Sequence, residues 1–433
     1  MNVSAITLGC KVNQYETQAM LAAMERAGFS ICDGPADVIL INSCTVTAQS
    51  DHKVRQALHR ARRENPDAVL VLTGCMPQAF PEKAAALLDA DIVLGNANRA
   101  ALPAHVLHYL STHQRIVDIE PHGSRFEPMQ VTDFYERTRA FLKIEDGCNR
   151  FCSYCIIPYA RGRVRSKPLE ELQAELSALG AHGYREVVLT GINLPAYGQD
   201  LGLTLCDAVE AACATPGILR VRLGSLEPEM LTPPVIMRLS RQKALCPQFH
   251  LALQSGCDAT LQRMNRHYTT AEYRKIAQDL RAAFPNTALT TDMMVGFPGE
   301  TDEEFAQSLA FAKEIAFAKV HVFAYSRRPG TRAADFPNQV TNAEKERRSA
   351  LLIDATKRTR TAFLQKQVGL VEEVLFEQQK QPGVWEGYTR NYTPVYLASS
   401  ASLAGQILRV RLSGLAGDGC AAQAAQEEAS GAI

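Results

Sequence analysis

The chain has 433 residues, 46% of them hydrophobic and 21% charged; one core rarely supports that length, so about two or three domains are expected. No apolar run approaches the roughly 20 residues of a membrane-spanning helix, and the opening MNVSAITLGCKVNQYE lacks the basic-then-apolar order of a signal peptide, so the reading is a cytoplasmic protein with no membrane partner. Basic and acidic side chains number 46 each, so net charge argues for no nucleic-acid partner and only local clusters bear on one. In chain order, residues 3–8, 38–42, 68–73 and 91–94 read as strands, with helices over 16–27, 53–63 and 81–88 between them. This alternation implies βαβ units and a parallel α/β domain over 1–110. Residues 111–135 are polar, contain Pro121, Gly123 and Pro128, show no period and read as a linker.

Over 136–365 the alternation resumes in longer units. Apolar runs at 141–144, 187–189, 219–223, 249–253, 288–295 and 319–324 enclose helical patterns such as 169–179 and 271–284. These βα repeats suggest a partial (β/α)6 barrel rather than a closed eight-stranded one, although the period equally describes an open sheet. After a charged helix over about 342–367, short strands are expected at 371–376, 383–389, 394–397 and 406–412. They imply a small all-β barrel or sandwich over 366–415. Residues 416–433, rich in Ala, Gln and Gly, read as a disordered tail. Basic clusters occur at 52–63, 161–167, 344–348 and 357–360; each taken alone is read equally well as a solvated helix face.

Twelve cysteines in a reducing compartment call for an explanation other than disulfides. Cys148, Cys152 and Cys155, spaced Cys-x3-Cys-x2-Cys, sit in a loop directly after an apolar strand. Three thiolates can each bind one iron of a four-iron cluster and leave the fourth iron open to a small molecule. A structural zinc site would want a fourth ligand, and none follows at a fitting interval.

This motif, followed by βα repeats, resembles the radical S-adenosylmethionine superfamily. The resemblance implies that the open iron chelates S-adenosylmethionine and that cleavage of the sulfonium releases a 5′-deoxyadenosyl radical. Segments ending apolar runs, LTGIN (189–193), RLGSLEP (222–228), LQSG (253–256) and DMMVGFPGE (292–300), are similar to the superfamily's cofactor-binding strand ends. There Thr190, Asn193, Glu227 and Gln254 are candidate hydrogen-bond partners of the cofactor, and Gly191 and Gly296 candidate points of close approach. Strand-end turns account for any one of these residues nearly as well.

Cys10, Cys44 and Cys75 lie far apart, yet each directly follows an apolar strand and precedes a helix. In a parallel sheet such junctions share the carboxyl edge, so the three thiols are expected to converge. A lone cysteine is often only a small buried hydrophobe; three at equivalent junctions suggest a second cluster, with Gly9 and Gly74 easing its approach. The two triplets, with GCKVNQYE (9–16), resemble the radical S-adenosylmethionine methylthiotransferase family over almost the whole chain. The resemblance implies an auxiliary-cluster domain, a radical core and a substrate-binding TRAM barrel, two [4Fe-4S] clusters, and two S-adenosylmethionine molecules per turnover. GCKVNQYE is similar to the branch that acts on threonylcarbamoyladenosine in tRNA, next to the anticodon at position 37.

The implied reaction replaces the C2 hydrogen of adenine with a methylthio group. That C–H bond carries no acidic proton, so general acid–base catalysis has little purchase and the cofactor supplies the reactivity. The expected partners are a tRNA anticodon stem-loop, gripped through phosphates and stacked bases, and an electron donor; DNA is not expected. Trp385, Tyr388, Arg390, Tyr392 and Tyr396 form an aromatic and basic set in the C-terminal module, although barrel packing explains some of them. The same chemistry on isopentenyladenosine or on a ribosomal-protein aspartate, and a nonenzymatic iron–sulfur carrier, are the competing readings. Cys32, Cys206, Cys213, Cys246, Cys257 and Cys420 share no ligand spacing and read as structural.

Overall fold

The structure, a computed structural model, describes residues 1–131 and 138–425. The first part runs β1 (Asn2–Thr7), α1 (Lys11–Arg26), β2 (Ser30–Ile31), β3 (Val38–Ser43), α2 (Ala48–Glu64), β4 (Val69–Gly74), α3 (Cys75–Ala79), α4 (Pro81–Ala85), β5 (Ile92–Leu94), α5 (Leu102–Thr112) and β6 (Ile116–Asp118). Its strands form one parallel sheet in the order β2-β1-β3-β4-β5-β6. The apolar runs are continuous because both faces are covered. Val38, Leu40, Val69 and Val71 join a core shared with the next domain, while Ile39, Ile41, Leu70 and Leu72 pack under α2. The expected linker is shorter than 111–135. α5 extends to Thr112, and β6 pairs Ile116 with Ile92 at the sheet edge; a three-residue edge strand is too short to show a period. Residues 132–135 lie outside the described residues.

The second part runs β7 (Arg139–Lys143), β8 (Glu145–Asp146), α6 (Ile157–Arg161), β9 (Arg165–Ser166), α7 (Leu169–Ala181), β10 (Glu186–Thr190), α8 (Leu205–Ala214), β11 (Arg220–Leu223), β12 (Ser225–Leu226), α9 (Pro233–Ser240), β13 (Gln248–Leu251), α10 (Asp258–Arg263), α11 (Thr270–Ala283), β14 (Ala288–Val295), α12 (Asp302–Ile315), β15 (Lys319–Ala324) and α13 (Asn342–Gln367). Two parallel sheets, β7-β10-β11 and β12-β13-β14-β15, are joined by a bridge between Val221 of β11 and Leu245 just before β13. The result is the open, partial barrel that the six apolar runs imply. Thr269 and Thr301 start α11 and α12 with capping boxes to Glu272 and Glu304.

The third part is β16 (Val371–Gln381), β17 (Val384–Thr389), β18 (Pro394–Ala398), β19 (Ile407–Ala416) and β20 (Gly419–Ala424), closed in the order β16-β17-β18-β20-β19. The stretch read as a frayed tail from residue 416 supplies β20, which pairs with β18 and β19 and closes the barrel. Its Ala and Gln content hid the inward alternation of Cys420 and Ala422. Residues 426–433 lie outside the described residues.

Buried ion pairs lock the first two parts together. On α1 the buried face Val12, Tyr15, Ala19 and Met20 also carries Glu16, which is fully buried. Its carboxylate meets Arg161, Arg99 at 2.6 Å and Lys143 at 2.7 Å; Lys143 also reaches Asp146 at 2.7 Å. Burial alone would raise the Glu16 pKa, but Arg161, Arg99 and Lys143 hold it well below the usual carboxylate range. Alongside, Tyr15 donates to Glu175 at 2.9 Å and Glu175 pairs with Lys167. The basic run 161–167 is therefore no phosphate-binding patch: Arg161, Arg165 and Lys167 are buried in this network and only Arg163 is exposed. The third part docks through Arg139, 2.6 Å from Glu377, and through Arg220 and Arg222, which donate to the Thr389 carbonyl at 2.8 and 2.7 Å. Removing one member of a buried, fully paired set strands its partners, so Glu16→Ala is expected to destabilise by ~3–5 kcal/mol. A drop in the chemical-denaturation midpoint checks this, with Glu16→Gln losing less.

Candidate cluster and substrate site

β1, β3 and β4 are neighbours in the sheet, and their carboxyl ends carry Cys10, Cys44 and Cys75. Each thiol lies close enough to raise another's pKa: Cys44 acts on Cys10, Cys75 on Cys44 and Cys10 on Cys75. Burial is the larger cause in every case. Cys10 precedes α1 and its thiol lies 3.3 Å from Asn13 Oδ1; Cys75 opens α3 and accepts from Arg161 Nε at 3.1 Å. Gly74 has φ +103°, and a Cβ there would run into the Ser43 backbone, so this junction admits only glycine.

Cys148, Cys152 and Cys155 gather in the loop after β8, all partly exposed. Burial, then Cys152 and Glu145, push Cys148 up to about 12 against the Arg150 N–H, and Cys155 is raised by burial and its two neighbours. Such thiols keep their protons until a metal displaces them. Arg266 Nη1 lies 3.4 Å from the Cys152 sulfur and grips Glu227 with both ends of its guanidinium. Thr190 ends β10 and Asn193 follows it. Gly191 between them backs onto Glu145, whose carboxylate accepts the Asn193 N–H at 2.7 Å. Gln254 holds φ +66°, with its N–H on the Asp292 carbonyl at 2.9 Å. The side-chain oxygens Asn193 Oδ1, Gln254 Oε1 and Glu145 Oε1 are buried without a hydrogen-bond partner among the described residues. Buried polar atoms are almost always paired, so these three fit a polar ligand beside the cysteine loop. Gly296 faces Lys345 instead of the loop.

A cavity of about 980 Å³ opens where the three parts meet. Gly9, Cys10 and Lys11 form one wall, barrel residues including Gly224, His250, Asp292 and His321 another, and Tyr388, Tyr392 and Tyr396 a third. His250, Asp292 and His321, on adjacent strands β13, β14 and β15, bring their donor atoms within 4.8 Å of one another. Tyr388 and Tyr392 stack with centroids 4.6 Å apart, and Arg139 and Arg222 lie over them. Trp385, by contrast, belongs to the small barrel's core, and Arg390 ties that barrel to the Leu245 carbonyl.

The structure places Cys10, Cys44 and Cys75 after neighbouring strands and Cys148, Cys152 and Cys155 in one loop; sequence reasoning assigned no role to Glu16, Arg161, Glu145 or Arg266. Glu16 left a usable signal, a carboxylate inside an apolar helical stripe. The others are distant in sequence from what they touch and left none.

An open parallel barrel with a Cys-x3-Cys-x2-Cys loop at its mouth defines a radical S-adenosylmethionine enzyme. The radical SAM superfamily model matches residues 142–312, and that of an uncharacterized protein family, UPF0004, matches residues 2–95. The chain is 37% identical over 388 residues to the threonylcarbamoyladenosine tRNA methylthiotransferase MtaB of Thermotoga maritima, covering 89% of each chain. It is 37% identical to that of Bacillus subtilis, covering 94% of this chain and 92% of the relative. It is also 33% identical to the tRNA-2-methylthio-N(6)-dimethylallyladenosine synthase of Pelotomaculum thermopropionicum, covering 94% of each. The chain belongs to the radical S-adenosylmethionine tRNA methylthiotransferase family. In fold it is similar to the solved radical S-adenosylmethionine methyltransferase TsrM of Kitasatospora setae, with TM-score 0.57 and 13% identity over 89% of this chain and 80% of that one.

Gly147, at φ +93°, packs against the Arg163 carbonyl with no room for a Cβ. Gly147→Ala therefore displaces the loop that carries Cys148, at a cost of ~1–3 kcal/mol for the backbone conformation alone. A lowered thermal midpoint together with reduced iron uptake is the expected result.

Proposed function

We propose that this enzyme adds a methylthio group to C2 of N6-threonylcarbamoyladenosine at position 37 of tRNA. Cys148, Cys152 and Cys155 hold one [4Fe-4S] cluster, and Cys10, Cys44 and Cys75 hold a second that carries sulfur. The observation that carries this reading is the convergence of two three-thiol sets in one molecule, with Cys10 of the second set lining the cavity. Three thiols leave a four-iron cluster with one open position, unlike the four-ligand closure usual in carriers. When bound, the cofactors supply hydrogen-abstracting radical chemistry and the sulfur and methyl groups.

The chain's own residues have narrower tasks. Thr190, Gly191, Asn193, Glu227 and Gln254 orient S-adenosylmethionine beside the radical cluster; Asn193 and Gln254 offer it otherwise unpaired buried oxygens. The cavity walls hold the adenine near Cys10 and restrict water around it. Tyr388, Tyr392 and Tyr396 form the aromatic wall that meets bases of the anticodon stem-loop. The exposed cations of α2, among them Lys53, Arg55, Arg60 and Arg63, meet phosphates with salt-sensitive affinity. The target adenosine leaves its stack to enter. Relatives named for threonylcarbamoyladenosine at 37% identity, against 33% for one named for dimethylallyladenosine, support the choice of substrate. An external reductase delivers the electron.

Two substitutions separate the two triplets. Reconstituted wild type is expected to bind two four-iron clusters. Cys152→Ala keeps one and forms no 5′-deoxyadenosine, whereas Cys44→Ala also keeps one but still cleaves S-adenosylmethionine without inserting sulfur. Methylthiolation by Cys44→Ala at the wild-type rate would remove the sulfur-carrier role. The substrate is tested by mass spectrometry of tRNA nucleosides from cells with and without the gene. The methylthio form of threonylcarbamoyladenosine should disappear, and loss of the isopentenyl form instead would overturn the assignment.

A further inference from the structure

Lys11 differs from the other cations of the cavity. Six lysine and arginine side chains line that cavity: Lys11, Arg139, Arg222, Lys319, Arg360 and Lys380. Arg139 and Arg222 pair with Glu377 and Glu186 at 2.6 Å each, Lys319 and Arg360 reach Asp418 at 3.5 and 3.4 Å, and Lys380 reaches Glu386 at 3.7 Å. Lys11 alone has no carboxylate at ion-pair distance among the described residues. Its ammonium lies over the Phe141 ring at 5.9 Å, in the same cavity as Arg139 and Arg222. The neighbouring cluster is already cationic, since Arg139, Arg220 and Arg222 share the carboxylates of Glu186 and Glu377. Lys11 is exposed in the cavity and has no carboxylate of its own among the described residues, so it is available to an anion that arrives with the ligand. The position adds a chemical meaning: Lys11 directly follows Cys10, and both line the cavity.

We propose that Lys11 binds the carboxylate on the N6 substituent of the substrate nucleoside and so selects acidic substituents over neutral apolar ones. This rests on the reading of the substrate given above and names the group that reads it. An ammonium is a compact point charge suited to a single carboxylate. An apolar substituent at the same place would leave Lys11 unpaired among arginines, so rejection of the wrong nucleoside comes from the same residue. The other source of an anion is a tRNA phosphate, and the two are separable.

The test is a double-mutant cycle on the reconstituted full chain. Affinity is measured by fluorescence anisotropy for anticodon stem-loops carrying N6-threonylcarbamoyladenosine or its methyl ester, with wild type and Lys11→Met. Wild type is expected to prefer the free acid by about tenfold, and Lys11→Met to erase that preference by weakening the acid alone. Lys11→Arg should retain most of it. Should Lys11→Met fail to take up iron, Lys11→Gln replaces it in the cycle. A preference unchanged by the substitution overturns the proposal, as does equal weakening of both loops, which would identify a phosphate contact. Failure of wild type to methylthiolate the acid-bearing loop would defeat the substrate reading and this inference with it. Normal turnover without coupling to Lys11 would defeat the inference alone.

Discussion

Glu16 is a carboxylate with no access to water, held among Arg161, Arg99 and Lys143. An isolated buried charge is very costly, so each of these groups is tolerable only while the others stay in place. Glu16 comes from the first helix of the N-terminal sheet, Lys143 and Arg161 from the barrel. The two parts therefore cannot slide or separate without exposing or orphaning several charges at once. Arg161 carries the constraint onward to Cys75, and Asp146, paired with Lys143, leads through Gly147 to Cys148. One rigid set of ion pairs thus fixes the spacing between the two groups of thiols.

The cavity depends on that spacing. Its walls come from three independently patterned parts, and it exists only because the sheet edge, the barrel mouth and the small β-barrel are held around one space. The small barrel is fixed by arginines of β7 and β11 that donate to its carbonyls or pair with its Glu377. Two of them, Arg139 and Arg222, also lie over Tyr388 and Tyr392, so docking of the domain and placement of the aromatic wall share the same side chains. Lysines and arginines outnumber carboxylates in its lining, six to three, which suits an anionic ligand.

The parts legible in the sequence are those governed by local rules. Each of the six apolar runs between residues 141 and 324 lies on a barrel strand, because short apolar runs set between helical patterns mark parallel strands even where, as in β15, much of the strand stays exposed. Cys10, Cys44 and Cys75 were readable as a group because the strand-to-helix junctions of a parallel sheet share one edge. The Cys148 loop was readable from spacing alone. β6 and β20 were missed where strands are short or built from Ala and Gln, which carry little pattern. The role of the basic run at 161–167 was not legible, because composition does not report burial. Three of its cations face inward to carboxylates distant in the chain.

The sequence by itself determined the chemistry available, two sets of three thiols, the alternating α/β order and the small β-module, since ligand identity and periodicity are properties of neighbouring residues. Only the tertiary structure decided which charges are buried, that Arg161 touches Cys75, and that Lys11 stands without a carboxylate among the described residues in a cavity of paired cations. Those are facts of long-range proximity. Electrostatic energy depends on the distance between charges and on the solvent excluded around them, and neither can be read along a chain.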